Sequence, residues 1–218
     1  HHDGPEQVAR IADAGFRRLQ VVATLHCRID GRGRVQQFGR HAGRRFQPLD
    51  EADRDAFRSA LTQTFQAAAQ RGLTVAVVAH LNSAGPIHQW RNNFVFDPCV
   101  DYGGASYEEA MIEPIADALT ATGLARQGVD LAVGGEMGRS LFEHPQSYAE
   151  LIARLRRSGR LPGARIGVSV NFTHVAGEDR TPRESNAAAQ ALFDACDFLG
   201  MSNYRPFEPP PRPEQFRQ

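Results

Sequence analysis

Hydrophobic and polar positions along this chain follow two patterns, one of helical period and one of nearly continuous apolar runs. In residues 49–71, Phe57, Leu61 and Phe65 recur at helical spacing, and Gly72 follows as a stop signal. Such patterns predict helices at residues 5–14, 49–71, 106–122, 145–158 and 184–195, and strands at 19–25, 73–81, 129–133, 164–172 and 198–204. Helix and strand are therefore predicted to alternate along the chain.

The predicted strands are almost uniformly apolar, which is typical of parallel strands covered on both faces. Such strands separated by helices predict a parallel α/β sheet. We predict a (β/α)8 TIM barrel, forming a single, partial catalytic domain over residues 1–218, with about five or six of its strands in this chain. Because a barrel typically takes about 250 residues, its first strand is expected before residue 1 and its last elements after residue 218. The alternative is a complete, open doubly wound sheet.

The predicted connections differ in length between the two ends of the strands. Helix-to-strand links are short, whereas the strand-to-helix links at residues 26–48 and 82–105 are long. Loops longer than about 12–15 residues are usually functional in compact domains. Both long loops lie at the carboxyl ends of the strands, where barrels and open α/β sheets keep their active sites. This asymmetry predicts an enzyme independently of any motif.

Composition excludes some functions without identifying one. The 218 residues are 41% hydrophobic and have a formal net charge of +0, so no overall charge directs the chain to nucleic acid. No apolar run reaches the roughly 20 residues of a membrane span. Neither a glycine-rich nucleotide loop nor a Gly-x-Ser-x-Gly elbow is present. The chain opens without a signal peptide, like the interior of a longer precursor. The compartment and the oligomeric state stay open, with an extracellular or periplasmic location favoured over a cytoplasmic one.

Three cysteines, an odd number, exclude a full disulfide framework. One bridge between Cys27 and Cys99 is compatible with their positions just beyond a predicted strand and in a loop. Cys196 lies in a helical pattern and is expected to be an ordinary core residue.

The segment with the strongest chemical signal is the apolar strand at residues 129–133 together with Gly134, Gly135 and Glu136. Barrel enzymes keep catalytic groups at the carboxyl ends of parallel strands, and Glu136 occupies that position. The alternative is a carboxylate that stabilises the start of the following helix, but that helix is predicted to begin only near Pro145. Glu136 is therefore interpreted as an acid/base group, and cleavage of a glycosidic bond is the expected chemistry.

Other polar and aromatic side chains are predicted at the same end of the strands. Trp90 can stack on a sugar, and Arg91 can donate a fork of hydrogen bonds to hydroxyl groups. The predicted substrate-binding set is Trp90, Arg91, His26, His80, Asn171, Asn203 and Tyr204. For each of them the alternative is a structural role, such as a polar side chain that satisfies loop backbone.

The strand-end histidines raise the alternative of a metal-dependent hydrolase. His26 and His80 would have to act with His1, His2 or His174, but no His-x-His pair ends a strand. We therefore predict no metal site and no cofactor, and a carbohydrate as the binding partner.

Several segments in order resemble the clan A retaining glycoside hydrolases, most closely family 113, the β-mannanase-like barrels. They are Trp90-Arg91, Gly134-Gly135-Glu136, Tyr148-Ala149-Glu150-Leu151-Ile152 with Leu155-Arg156, Asn171-Phe172, and the stretch from Phe193 to Tyr204. Two positions depart from the pattern: Gly135 stands where the family has Thr and the clan usually Asn, and Phe172 stands where Trp is expected.

The resemblance implies an eight-stranded barrel in which Glu136 is the general acid/base. Trp90, Arg91, Asn171 and Tyr204 would line the sugar site. The family's nucleophile is a Glu at the end of the seventh strand, which is expected beyond residue 218.

The expected function is a retaining glycoside hydrolase that cleaves a polysaccharide, such as an exopolysaccharide or a mannan-like chain, by double displacement. One alternative is a catalytically inactive barrel that binds glycan or a protein partner. The other is the metal-dependent barrel hydrolase.

Overall fold

A computed structural model of the protein describes residues 3–42, 45–172 and 186–202. In chain order the helices are α1 (Gly4–Asp13), α2 (Glu51–Gln70), α3 (Glu113–Ala121), α4 (Leu124–Gln127), α5 (Gly138–Glu143), α6 (Pro145–Arg157) and α7 (Asn186–Ala195), and the strands are β1 (Arg18–Ile29), β2 (Val35–Ala42), β3 (Arg45–Pro48), β4 (Thr74–Ser83), β5 (Asp130–Gly135), β6 (Arg165–Asn171) and β7 (Leu199–Ser202). A 3₁₀ turn at Arg91–Asn93 follows β4, and a π-helical turn at Glu108–Ile112 leads into α3.

The seven described strands form one sheet in the order β3-β2-β1-β4-β5-β6-β7. Neighbouring strands from β1 through β4, β5, β6 and β7 are parallel, while the β1–β2 and β2–β3 pairs are antiparallel. The five predicted apolar runs are these five parallel strands, so the predicted α/β class with a mostly parallel sheet is confirmed. Because β3 and β7 lie at the two edges, the described strands do not form a closed ring, and closure of a barrel stays a prediction.

Side chains of β1 and β4 alternate between a covered and a more open face of the sheet, whereas those of β5 and β6 are buried almost throughout. In β1, Ala23, Leu25 and Cys27 are buried, the intervening Thr24 and His26 are half-buried, and Val22 before them is 43% exposed. In β4, alternate apolar side chains are again buried, and the intervening ones are only partly covered. A doubly wound sheet would bury both faces with helices. At β1 and β4 the alternation therefore favours helices on one face, as on the outside of a barrel.

The prediction of a long loop at residues 26–48 is wrong. β1 continues to Ile29 and pairs with β2, so that most of this segment is an antiparallel ribbon. The turn is held by the Asp30 carboxylate, which accepts hydrogen bonds from the backbone N–H groups of Arg32 (2.8 Å) and Arg34 (3.0 Å). Gly33 adopts a φ of 80°, which glycine allows without steric cost. An Asp-Gly turn between apolar positions is a hairpin signal that the loop prediction overlooked.

The segment between Glu136 and Pro145 also differs from its prediction as a loop. The short helix α5 begins at Gly138, two residues after Glu136. The distance of the next helix therefore no longer argues against a structural role for Glu136.

The predicted capping box at Ser106 is confirmed. Ser106 and Glu109 form its reciprocal hydrogen bonds, from the Ser106 N–H to the carboxylate (2.8 Å) and from the Glu109 N–H to the hydroxyl (3.2 Å).

All three cysteines are free thiols, so the allowed Cys27–Cys99 bridge is not formed. Cys27 is buried in β1, and burial raises the pKa of its thiol to about 12. Cys99 is exposed and accepts a hydrogen bond from Arg154 at 2.9 Å. Among the described residues, no helix combines the length and apolar composition needed to cross a bilayer.

A group of charged residues joins three parallel strands near their amino ends. Asp130 of β5 accepts two hydrogen bonds from Arg165 of β6, at 2.8 and 2.9 Å, and one from Arg18 of β1. The Arg165 hydrogen bonds and the charges of both arginines hold the pKa of Asp130 below its usual range, against the opposing effect of burial. This carboxylate therefore links stability to pH.

We expect Asp130→Asn to lower the free energy of unfolding at neutral pH by about 1 kcal/mol or less, because both arginines are exposed. A lowered folded-state pKa means that the carboxylate stabilises the fold above its unfolded value of about 3.9. That contribution is lost as the pH falls through the folded-state pKa. Urea unfolding curves of the wild type and Asp130→Asn should therefore differ at neutral pH and converge in acid.

The matched control is Asp13→Asn, at an exposed position at the end of α1. Its free energy of unfolding at neutral pH should stay within about 0.5 kcal/mol of the wild type. A stability difference for Asp130→Asn that persists unchanged into acid would contradict the assignment.

Candidate active site

An irregularity in β5 sets the direction of the chain just before Glu136. β5 and β6 pair at Ala132–Gly167 and again at Gly135–Ser169. Between these two pairs β5 contains two residues and β6 only one, so β5 carries one extra residue. Bulges of this kind re-aim a side chain and are frequent beside active sites. The buried Tyr107 hydroxyl donates to the carbonyl oxygen of Val133 at 3.0 Å, which satisfies a backbone acceptor within the irregular stretch.

Gly135 lies directly against the neighbouring strand β4. A Cβ atom at this position would stand 2.5 Å from Cγ1 of Val78 and 2.8 Å from the carbonyl oxygen of Ala79. Such distances cannot be accommodated without moving β4 backbone. Glycine at this position, where the resemblance leads one to expect Thr or Asn, is therefore explained by the close packing of β5 on β4.

Glu136 has the backbone conformation of a tight turn and a buried carboxylate. Its φ of 56° makes it the one described non-glycine residue with positive φ, and it is only 6% exposed. Its N–H donates to the carbonyl oxygen of Ser169 at 2.8 Å, which anchors the turn to β6. Left-handed backbone at a non-glycine residue persists where its surroundings hold it in place, and such positions cluster at functional sites.

Arg91 connects the carboxyl end of β4 to Glu136. Its Nη1 donates to Oε2 of Glu136 at 2.9 Å, forming an ion pair. Its Nη2 donates to Oδ1 of Asn82 at 2.9 Å, and its Nε to the carbonyl oxygen of Leu81 at 3.0 Å. Three acceptors in fixed directions immobilise a guanidinium group in a way that a lysine ammonium could not reproduce.

Two histidines occupy neighbouring strands on the open face. Burial and the charge of Arg91 lower the pKa of His80 to about 4, although Glu136 opposes the shift, so the imidazole is neutral at neutral pH. Its Nδ1 lies 3.5 Å from the Thr24 hydroxyl. Burial, together with the nearby His41, also lowers the pKa of His26. The His26 and His41 rings meet edge to face with centroids 4.6 Å apart.

A cavity of about 360 Å³ opens beside Arg91. It is lined by His26, Asn82, His88, Trp90 and Arg91, among others. Trp90 is 41% exposed at its rim, so the indole is available for stacking on a ligand. A neutral imidazole, an amide, a guanidinium and an indole form a set suited to a polyhydroxylated ligand.

Of the other predicted residues, Asn171 ends β6 as a buried side chain, two positions after the Ser169 that anchors Glu136. Asn203 and Tyr204 lie outside the described residues, as do His1, His2 and His174. Within the described parts of the chain, no group of three or more His, Cys, Asp or Glu side chains is placed to hold a metal ion.

Three residues of the site were missed in the sequence. Asn82 follows His80 at the period of a strand, so alternation along β4 could have identified it. Asn92 and Tyr107 carry no such signal, because the side chain of each forms its hydrogen bond with a backbone group at least 26 positions away in the sequence.

No protein-family model matches this sequence, and no curated protein matches it. Among solved structures, the fold is similar to a GH113 β-1,4-mannanase in a complex, with a TM-score of 0.54 and 15% identity over 94% of this chain and 57% of that one. A further GH113 β-1,4-mannanase structure has a TM-score of 0.52 with the same identity and coverage. The GH113 β-mannanase AaManA from Alicyclobacillus acidocaldarius, in complex with ManMIm, has a TM-score of 0.50 at 15% identity, over 94% of this chain and 56% of that one.

The chain thus spans a little more than half the length of these mannanases. At 15% identity the similarity concerns the fold, and it supports the predicted clan A resemblance at that level. The protein has an α/β fold with a mostly parallel sheet similar to that of the GH113 TIM barrels.

Proposed function

We propose that this protein is a retaining glycoside hydrolase in which Glu136 is the general acid/base. One observation carries the proposal: a buried carboxylate follows β5 in a left-handed turn and is held by an arginine from the 3₁₀ turn that follows the adjacent strand β4. Preorganised charged groups at the carboxyl ends of parallel strands are the usual basis of catalysis in barrels. The similarity to GH113 folds adds support, since those proteins are mannanases.

In the first step, protonated Glu136 donates its proton to the glycosidic oxygen as that bond breaks, while a second carboxylate bonds to the anomeric carbon. The aglycone leaves with the proton. In the second step, ionised Glu136 removes a proton from water, whose oxygen attacks the anomeric carbon and displaces the second carboxylate. The sugar leaves with its original anomeric configuration, and both carboxyl groups return to their starting states.

The surrounding residues bind and orient the sugar chain in this proposal. Trp90 and neutral His26 line the cavity beside Arg91, where Trp90 stacks on a sugar face and His26 exchanges hydrogen bonds with hydroxyl groups. Neutral His80, on the neighbouring strand, is proposed to do the same. Asn171, Asn203 and Tyr204 complete the substrate-binding set. The second carboxylate is expected from a strand after β7, as the resemblance implies, and no residue of residues 1–218 is assigned to it.

The test is hydrolysis of polysaccharides by the full-length protein, with β-1,4-mannan first and glucomannan, cellulose and acidic polysaccharides beside it. We expect new reducing ends, and proton NMR of the first products should show retained anomeric configuration. Activity should survive dialysis against EDTA. Binding without hydrolysis would favour the inactive glycan-binding barrel, and loss of activity with EDTA would favour the metal-dependent hydrolase. Either result would overturn the proposal.

A further inference from the structure

Asn92 lies within the 3₁₀ turn that also carries Arg91, and it is fully buried. Its Oδ1 accepts a hydrogen bond from the backbone N–H of Gly138 at 3.0 Å. Gly138 is the first residue of α5, and the capping residue Met137 makes no side-chain bond to the helix. Asn92 therefore supplies, from a different loop, the acceptor that a helix start ordinarily receives from its own N-cap.

The orientation of this amide group follows from its partner. Since a backbone N–H can only donate, Oδ1 must face Gly138 and Nδ2 must point away. Among the described residues Nδ2 has no hydrogen-bond partner. A buried donor without a partner reduces the net stabilisation that the Oδ1 bond provides. Stability alone is thus a weak reason for asparagine at this position.

Arg91 and Asn92 hold the Glu136 segment at two points from adjacent positions in the chain. Arg91 binds the carboxylate of Glu136, and Asn92 binds the backbone two residues further on. Between the two points lies the left-handed turn at Glu136. A turn of this kind needs surroundings that over-determine it.

We propose that Asn92 is a positioning residue: it ties the start of α5 to the Arg91 turn and thereby keeps the Glu136 carboxylate in place. The catalytic part of this inference rests on the proposed function, whereas the structural part does not. Asn92 is fully buried and is not among the residues that line the cavity beside Arg91, so we expect it to make no contact with substrate. Its loss should therefore affect turnover more than substrate binding.

The test compares Asn92→Leu, which has a similar volume and no acceptor, with Asn92→Asp, which keeps an oxygen facing Gly138. Hydrogen exchange of the Gly138 amide is measured by NMR. We expect exchange to be about tenfold or more faster in Asn92→Leu and close to wild type in Asn92→Asp. Asn93→Ala, at the exposed neighbouring position, is the matched control and should leave the Gly138 exchange rate unchanged.

In the same proteins, Asn92→Leu should lower kcat by about 10²-fold while KM stays within about threefold, because misplacement of a catalytic group by 1 Å has that effect. Asn93→Ala should keep both constants. Unchanged Gly138 exchange in Asn92→Leu would overturn the proposal, and so would a loss confined to KM. If Asn92→Leu does not fold, Asn92→Ala takes its place with the same expectations.

The two proposals fail in different ways. A wild-type protein without hydrolase activity would remove the proposed function but leave the Gly138 exchange test intact. If the wild type is active, and Asn92→Leu changes neither the Gly138 exchange rate nor kcat, only the positioning role of Asn92 is excluded.

Discussion

Replacing Glu136 with Gln is expected to lower kcat on unactivated glycosides by about 10²–10⁴-fold, the usual contribution of a general acid/base. Gln has the same shape, and its side-chain oxygen can still accept the Arg91 hydrogen bond, but it cannot donate or remove the proton. The fold should therefore persist while proton transfer is lost. The measurements are initial rates on the preferred polysaccharide and thermal unfolding of both proteins.

Glu143→Gln is the matched control, since Glu143 lies on the next turns of the same segment and pairs with Arg139 in a more exposed position. It should retain nearly wild-type turnover.

A second variant, Glu136→Ala, separates the general-acid role of the carboxylate from its general-base role. An aryl glycoside with a good leaving group does not need the acid, so added azide should replace the base-activated water, restore turnover and yield a glycosyl azide of retained configuration. Wild-type turnover in Glu136→Gln would exclude Glu136 as the acid/base.

Removing the guanidinium of Arg91 is expected to destabilise the fold by about 3 kcal/mol. Arg91→Ala removes the Arg91 cation from the buried Glu136 carboxylate and the donor from Asn82 and from the carbonyl of Leu81. Breaking a buried ion pair by deleting one partner costs far more than the pair contributes as a whole. Urea unfolding at neutral pH measures the loss, and kcat should fall as well because Glu136 is no longer held.

Arg91→Lys should lie between wild type and Arg91→Ala, since one ammonium group cannot match three acceptors in fixed directions. In the double variant Arg91→Ala with Glu136→Gln, the neutral amide needs no cation. The combined loss should therefore be smaller than the sum of the single losses. Arg139→Ala, which breaks a half-buried i,i+4 pair and one hydrogen bond to the carbonyl oxygen of Arg32, is the control and should cost about 1 kcal/mol. A similarly small loss for Arg91→Ala would contradict the role of Arg91 in holding the Glu136 carboxylate.

Local patterns were sufficient to predict most of the secondary structure. The helical period at Phe57, Leu61 and Phe65 predicted α2, and all five apolar runs became parallel strands of one sheet. These signals survive folding because each element has to bury its own apolar face. The ribbon of β2 and β3 was missed, since β2 depends on pairing with β1, and β3 on pairing with β2, more than on their own composition.

The candidate site was predicted as a set of residues and not as an arrangement. Glu136 and Arg91 were both selected because they follow strands at the same end of the sheet. Their ion pair joins positions 45 residues apart, and nothing in the local sequence predicts it. Tyr107 was missed for the same reason, since its role depends on the carbonyl of Val133 coming within reach.

The sequence by itself determined the alternation of helix and strand, the parallel class of the sheet and the strand end at which Glu136 stands, because periodicity and glycine placement are local. Only the tertiary structure decided that Gly135 must lack a side chain against β4, that the turn at Glu136 is left-handed, and that Arg91 and Asn92 hold it from another loop. Those features depend on the distance between segments that are remote in sequence. Packing of β5 on β4 brings them together, and no window of the sequence contains both sides of the contact.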